Sequence, residues 1–521
     1  MSTIKKIKDS FERFFNQHSS GIFIAVMILM MILYLFILLN RAWVCDDSYI
    51  TFRVVNNFHS GYGFRWNIAE RVQVFTHPLW MIVMTFFYTF TKEVYLTSIF
   101  LNIILSIGVI IFLILLEKNN RGLLVGIFLL LCSSTFMDYS TSGLENPLSH
   151  CLLAFFLYYY LLDPKNYQLK RITILSIIAG FACLNRLDHL LIYAPILFYI
   201  IFQSKRQYQA IIRVCIGFIP LLVWSLFSVI YYGYLLPNTF YAKVGDWLTP
   251  DVLLWQGWQY FLHTLRNDPI TGLTIVYGLV FAGINYKDER LPLAFGVIAY
   301  IFYVVWIGGD FMEGRFFTSI FLLSVVQVVH YDLRKVHFVD LGWILPLITL
   351  ISLFTSVPTL AFSDTGFTET WEDGIVNERI FYAETTGLFR DGKLHSDHEH
   401  PWAEEGKKLN QRCKKSGVCH YVVHNIGFTG YAAGPAVYLV DHYGLGSALL
   451  ARLSPEVDEE WRIGHFYRAV PNGYLPYLRT GDLDLIENPE IQRMVQQLDL
   501  LTSQPIFSAE RFQLMLKFDP D

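Results

Sequence analysis

An α-helical polytopic membrane protein with a C-terminal soluble α/β domain is the fold class this sequence predicts, on three observations. Charged residues make up 16% of the chain and hydrophobic ones 54%, whereas an average soluble protein carries about 25% charged residues. Apolar runs recur from residue 22 to residue 361, several of them close to the roughly 20 residues that a helix needs to cross a bilayer. The segment 363–521 is more polar and long enough to form a domain of its own. The expected division is therefore 1–362 within the membrane and 363–521 outside it. The net charge of −4 gives no reason to expect nucleic acid as a partner.

The first run, Ile22 to Asn40, follows a basic stretch containing Lys5, Lys6, Lys8 and Arg13. It lacks a small-residue cleavage site and reads as a retained first span. Further runs lie near 77–91, 95–116, 122–137, 147–162, 172–185, 190–203, 211–232, 270–284, 291–307, 316–330 and 339–361. Lys and Arg concentrate in the connections 117–121, 163–171, 203–209, 285–290 and 331–337, and short basic loops favour the cytoplasm. With the N-terminus inside, all of these fall inside only if one of the runs 77–91 and 95–116 does not cross. The first begins at His77-Pro78 and is the shorter, so it is expected to lie along the outer face as a juxtamembrane helix. About eleven transmembrane helices result.

The outer side then receives 41–94, 138–146, 186–189, 233–269, 308–315 and 363–521. In the last of these, Tyr421–Val423 and Val437–Val440 read as strands bracketing a Gly-rich turn or helix. Cys413 and Cys419 sit in a polar segment, where an oxidising compartment would pair them. His395, Asp397, His398, Glu399 and His400 lack H-E-x-x-H spacing and read as a solvated loop.

The adjacent carboxylates Asp46 and Asp47 follow the first span almost directly. One of them suits the N-cap of an amphipathic helix that ends in His59-Ser-Gly-Tyr-Gly63. More polar groups gather on the same side: Glu70, His77, Glu145, Asp188, Lys243, Asp310 and Arg315. The inner connections are short and mostly basic, so chemistry is expected at the outer surface.

The ordered set "DDSYITFR", "GYGFRWN", "THPLW", "TSGLE", "NRLD", "LPNTFYAK" and "GGDFMEGRF" resembles the GT-C superfamily of glycosyltransferases. It is most similar to the terminal arabinofuranosyltransferases of mycobacterial cell walls and their Gram-negative relatives. "GFTGYAAGPAVYLVDHYGLGSALLAR" and "RIGHFYRAVPNGYLPYL" resemble the C-terminal domain of that group. The resemblance implies transfer of a single sugar, such as D-arabinofuranose, from a polyprenyl phosphate to a cell-surface glycan or glycoprotein. The place implied is the periplasmic face of a bacterial inner membrane, with the lipid bilayer as a partner. Neither a P-loop nor a Rossmann glycine pattern is found, which fits a lipid-borne donor.

In that setting Asp47 or Asp46 would act as general base, hold a divalent cation, or stabilise developing positive charge on the sugar. Lys243 and Arg315, then Arg53 and His77, would meet the donor phosphate, with Asn238 beside them. Glu145, Asp188 and Asp310 would orient those groups or bind sugar hydroxyls. Glu70, Asp441, His442 and His465, with Arg452 nearby, are candidates for the acceptor. No cofactor is implied with certainty. The competing readings are a transporter, which would place its charges at the bilayer midplane, and an O-antigen ligase or polymerase.

Overall fold

This computed structural model describes residues 21, 23–117, 120–163, 167–284, 289–333, 336–361, 374–457 and 461–517. The basic N-terminal stretch, the 362/363 boundary and much of the basic connections (118–119, 164–166, 285–288 and 334–335) lie outside the described residues.

Every apolar run becomes helix, because a backbone in hydrocarbon must satisfy its own N–H and C=O groups. The helices are α1 (Phe23–Asn40), α2 (Asp46–His59), α3 (Pro78–Thr91), α4 (Tyr95–Leu116), α5 (Asn120–Cys132), α6 (Ser134–Asp138), α7 (Asn146–Leu161) and α8 (Leu169–Asn185). There follow α9 (Leu190–Gln203), α10 (Gln207–Gly217), α11 (Ile219–Tyr232), α12 (Asn238–Lys243), α13 (Pro250–Asn267), α14 (Pro269–Ile284), α15 (Leu291–Trp306), α16 (Phe317–Gln327) and α17 (Phe338–Ser352).

Among the described residues, α1 and α4 alone are long and apolar enough to cross a membrane, and four spans result if the bent pairs α10–α11 (46°) and α13–α14 (111°) are each counted as one. The count of about eleven thus depends on shorter apolar helices such as α5, α9 and α15. Helix α5 is shorter than the run 122–137 suggests because a polar side chain breaks that run. Ser133 accepts the N–H of Phe136 and divides α5 from α6. The carboxylate of Asp268, at the α13–α14 bend, accepts from Ser133, Thr135 and Thr271, so two helix breaks share one buried anion. Helix α3 has 14 residues, about 21 Å, which is short of the hydrocarbon thickness and suits a position at the membrane face.

Beyond residue 374 the chain forms α18 (Glu378–Thr386), a hairpin of β1 (Phe389–Arg390) and β2 (Lys393–Leu394), then α19 (Pro401–Ser416). It continues through β3 (His420–Val423), α20 (Phe428–Ala433), β4 (Tyr438–Asp441), α21 (Tyr474–Thr480), α22 (Pro489–Thr502) and α23 (Ala509–Met515). Strands β3 and β4 run parallel, His420 opposite Tyr438 and Val423 opposite Asp441, joined through α20 as the apolar pattern predicts. Cys413 and Cys419 form a disulfide.

The C-terminal segment shares a core with the loops that follow α1: Trp43, Tyr49, Phe52 and Trp66 pack in one cluster with Tyr382, Phe428 and Leu439. The histidine-rich loop is solvated as expected at Asp397 and Glu399, which are exposed, but His398 is half-buried and His400 buried against this core. His398 and His400 lie 4.5 and 4.8 Å from the Phe428 ring, centroid to centroid, and His400 accepts the N–H of Trp402 at the start of α19. An imidazole offers a flat apolar face as well as a polar edge, so it fills such a gap without solvent.

Candidate functional site

The two aspartates part company in the structure. Cys45 occupies the N-cap of α2 and makes no side-chain cap, so neither carboxylate caps its own helix. Both lie in the first turn, where the positive helix end favours an anion. Asp46 reaches the start of another helix: its carboxylate accepts the N–H groups of Gly427 at 3.0 Å and Phe428 at 2.7 Å, where α20 begins. A Cβ on Gly427 would fall 1.8 Å from the Asp46 carbonyl oxygen, so the contact requires glycine. Burial raises the Asp46 carboxyl to about 7 against the pull of these hydrogen bonds. Asp47 is half-buried and makes no hydrogen bond or ion pair with any described residue.

Beside Asp47 lies a charged cluster built at helix ends. Glu145, the residue before α7, is fully buried. Its Oε1 lies 2.9 Å from Arg186 Nη1 and 3.0 Å from Arg315 Nη2, and its Oε2 lies 3.3 Å from His77 Nδ1. Burial would raise the Glu145 carboxyl, but Arg315, His77 and Arg186 outweigh it and hold the group below the usual range. Burial lowers the His77 imidazole, opposed by Glu145, while its Nε2 shares a 2.8 Å hydrogen bond with Thr51. Arg186 grips Asp188 with two bonds of 3.1 and 2.7 Å, and Tyr300 donates to the same carboxylate at 2.9 Å. Burial opposes ionisation of Asp188, yet Arg186 draws it down to about 2.

The turn 308–315 brings Arg315 and Asp310 to this cluster. Gly314 (φ 62°) permits the turn, and a Cβ there would meet Thr135 Cγ2 at 2.3 Å. Arg315 Nη1 lies 3.9 Å from Asp310 Oδ2. Burial raises the Asp310 carboxyl, opposed chiefly by Arg315 and Lys243. Lys243, at the end of α12, is exposed and has no ion pair among the described residues. Arg315 Nε is buried without a hydrogen-bond partner.

Several candidates are occupied elsewhere. Arg53 donates to the carbonyls of Trp66, Gly430 and Val437 at 2.7–2.9 Å and lies 4.4 Å over the Trp66 ring. Asn238 donates to the carbonyls of Gly444, Leu445 and Ser447 and accepts from Arg452. Both hold the C-terminal segment against the helices. Glu70 does the same, accepting the Tyr438 hydroxyl at 2.6 Å and Asn67 at 3.4 Å. Asp441 caps the turn that follows β4 by accepting the N–H groups of Leu445 and Gly446. His442 bonds the Arg468 carbonyl and stacks on Tyr467, and His465 packs edge-on against Phe311, the neighbour of Asp310.

Arg186 and Glu378 were not singled out by sequence reasoning. Arg186 sits beside Asp188 at a helix end, a pairing that would have marked it. Glu378 follows an N-capping asparagine and looks like an ordinary first-turn acid. Among the described residues no group of three or more His, Cys, Asp or Glu is arranged to hold a metal ion.

Residues 22–251 match the Alg9-like mannosyltransferase family. A terminal β-(1→2)-arabinofuranosyltransferase of Corynebacterium glutamicum is 24% identical over 514 residues, covering 82% of this chain and 73% of the relative. The enzyme of the same description from Mycobacterium tuberculosis is 23% identical over 400 residues, covering 67% of this chain and 63% of that one, less than two thirds of its length. Among solved structures, ArnT from Cupriavidus metallidurans bound to undecaprenyl phosphate overlaps 82% of this chain and 87% of its own, with 12% identity and a TM-score of 0.47. The family match and the two relatives, taken with the apolar helices, make the chain similar to glycosyltransferases of membranes, in line with the GT-C resemblance of its sequence.

Proposed function

We propose that this enzyme moves a single sugar, a pentofuranose such as D-arabinofuranose, from a polyprenyl phosphate to a cell-surface glycan or glycoprotein. The observation that carries this reading is the unpaired Asp47 carboxylate beside the exposed Lys243 and the half-satisfied Arg315, all at the ends of apolar helices. The two relatives, both terminal arabinofuranosyltransferases, support a pentofuranose as the sugar. The reaction face is the periplasmic side of a bacterial inner membrane, a reading supported by the Cys413–Cys419 disulfide, since such bonds persist in oxidising compartments. The segment 363–521, whose Gly427 and Phe428 bond the neighbouring Asp46, helps to receive the acceptor.

In this mechanism the acceptor oxygen bonds to the anomeric carbon as the bond from that carbon to the phosphate oxygen breaks. The electron pair of the broken bond leaves on the phosphate, which gains one negative charge. The acceptor proton passes to Asp47, and the same carboxylate favours the oxocarbenium-like state before proton transfer. Lys243 and Arg315 meet the charge that develops on the leaving phosphate. Glu145 fixes Arg315 and Arg186 in place, since a buried guanidinium fork is held best by a carboxylate. Asp188 extends that brace through Arg186.

The test is transfer by the purified enzyme from synthetic polyprenyl-phospho-arabinofuranose to extracted surface glycans and glycoproteins, with products weighed by mass spectrometry. One pentose added per acceptor, lost in Asp47→Asn, supports the reading. Full activity of Asp47→Asn, or addition of whole glycan blocks, overturns it.

A further inference from the structure

The parallel strands β3 and β4 each deliver a histidine just past the carboxyl end: His424 follows Val423, and His442 follows Asp441. In open α/β sheets ligands gather at that end, where the loops leaving the strands frame a crevice. A third segment joins them. The His442 N–H donates to the Val423 carbonyl at 3.2 Å, and the Arg468 N–H donates to the His442 carbonyl at 2.8 Å, which brings Tyr467 alongside. The His442 ring lies 4.5 Å from Tyr467 at 21° and 4.6 Å from His424 at 31°, centroid to centroid.

Tyr443 continues the row toward the charged cluster. Its ring lies 6.4 Å from His424 and 5.0 Å from His465, and His465 stands 4.4 Å from Phe311. Phe311 is pinned by its carbonyl, which accepts the Val376 N–H at 2.8 Å, and it adjoins Asp310, whose carboxylate is 3.9 Å from Arg315. Gly464, the residue before His465, faces Lys243 so closely that a Cβ there would stand 3.3 Å from Nζ. Core packing does not account for the outer end of this row. His424 and Tyr467 are exposed, and His442 and Tyr443 are half-buried. Among the described residues the hydroxyls of Tyr443 and Tyr467 and the ring nitrogens of His424 make no hydrogen bond.

We propose that this row is an acceptor subsite, on which sugars behind the reacting one stack against Tyr467, His442 and His424 while the terminal sugar reaches the charged cluster past Phe311. The proposal rests on the reading that transfer takes place at Asp47, Lys243 and Arg315. A sugar ring has a C–H face and a rim of hydroxyls. The row matches both, with flat apolar faces edged by phenol and imidazole groups that donate and accept. A single sugar at the charged cluster would leave the row empty, so the acceptor is an oligosaccharide.

The test measures transfer by the purified full-length enzyme from polyprenyl-phospho-arabinofuranose to extracted surface glycans, used whole or hydrolysed to mono- and disaccharides. Parent, His424→Ala, Tyr467→Ala and Tyr467→Phe are compared. Loss of one ring face is expected to raise KM for the whole glycan about three- to tenfold, while kcat, the donor KM and the melting temperature hold. Tyr467→Phe keeps the face and is expected to lose less than Tyr467→Ala. The hydrolysed fragments are expected to serve the parent and the alanine variants equally poorly. An unchanged glycan KM in both alanine variants, an equal rise in donor KM, equal losses in Tyr467→Phe and Tyr467→Ala, or monosaccharides used as well as whole glycan overturn the proposal. Those outcomes leave Asp47 in its role. Full activity of Asp47→Asn, or no transfer from this donor by the parent, strikes the function itself instead.

Discussion

The carboxylate of Asp46 accepts the backbone N–H groups of Gly427 and Phe428, 381 and 382 residues further along the chain. The next residue, Asp47, is left unbonded beside Arg315 and Asp310. One aspartate thus joins the two ends of the molecule, and its neighbour is free for chemistry. The two roles can be separated by experiment. Asp46→Ala is expected to cost about 1–3 kcal/mol of stability, because it strands two buried N–H groups. Asp47→Asn is expected to leave stability unchanged and to lower kcat by about a hundredfold or more. Thermal unfolding and turnover, measured on the same detergent-solubilised samples, check both.

Glu145 is the anion on which Arg186 and Arg315 converge. Glu145→Gln is expected to lower stability by about 3–5 kcal/mol, because removing one partner of a buried ion pair leaves charge uncompensated. Arg186→Lys should also fail to restore the parent, since an ammonium cannot bond Glu145 and both Asp188 oxygens as the guanidinium does. Denaturation midpoints and expression level report the outcome.

Gly427 lies against the Asp46 backbone with no room for a methyl group. Gly427→Ala is therefore expected to push α20 away from α2 and to cost about 1–3 kcal/mol by overpacking. Limited proteolysis should then cut the C-terminal segment faster than in the parent, and an unchanged cleavage rate would refute the close approach.

Glu70 gives a pH signature. Burial raises its carboxyl from 4.5 to about 7, against the hydrogen bonds from Tyr438 and Asn67. The folded state therefore binds this proton more tightly than the unfolded chain. The contribution to stability is complete below about 4.5 and is lost as pH rises through about 7. Glu70→Gln should flatten that part of the stability curve, measured as melting temperature across about pH 5–8.

The helices were legible because hydrocarbon demands them: the apolar run 95–116 coincides with α4, Tyr95–Leu116. The gathering of Glu145, Asp310, Arg315 and His77 was legible too, since loop charge sorts them to one side of the membrane. What the helices do inside their runs was not. Ser133 and Asp268 cap helices locally, but the two breaks are joined by a hydrogen bond between residues 135 apart, and no window of residues carries that. Arg53 and Asn238 looked like donor ligands because a cation and an amide suit phosphate and sugar. Their real partners are backbone carbonyls, which have no residue signature.

The pairing of Val376 with Phe311 and the clasp between Asp46 and Gly427 bear on how the enzyme is born. A ribosome that has delivered all the helices through α17 has still fixed neither Asp46 nor the 308–315 turn, because Val376 and Gly427 follow later. Premature termination would leave inert helices in the bilayer rather than an unsupervised transferase, so synthesis itself acts as the safety catch.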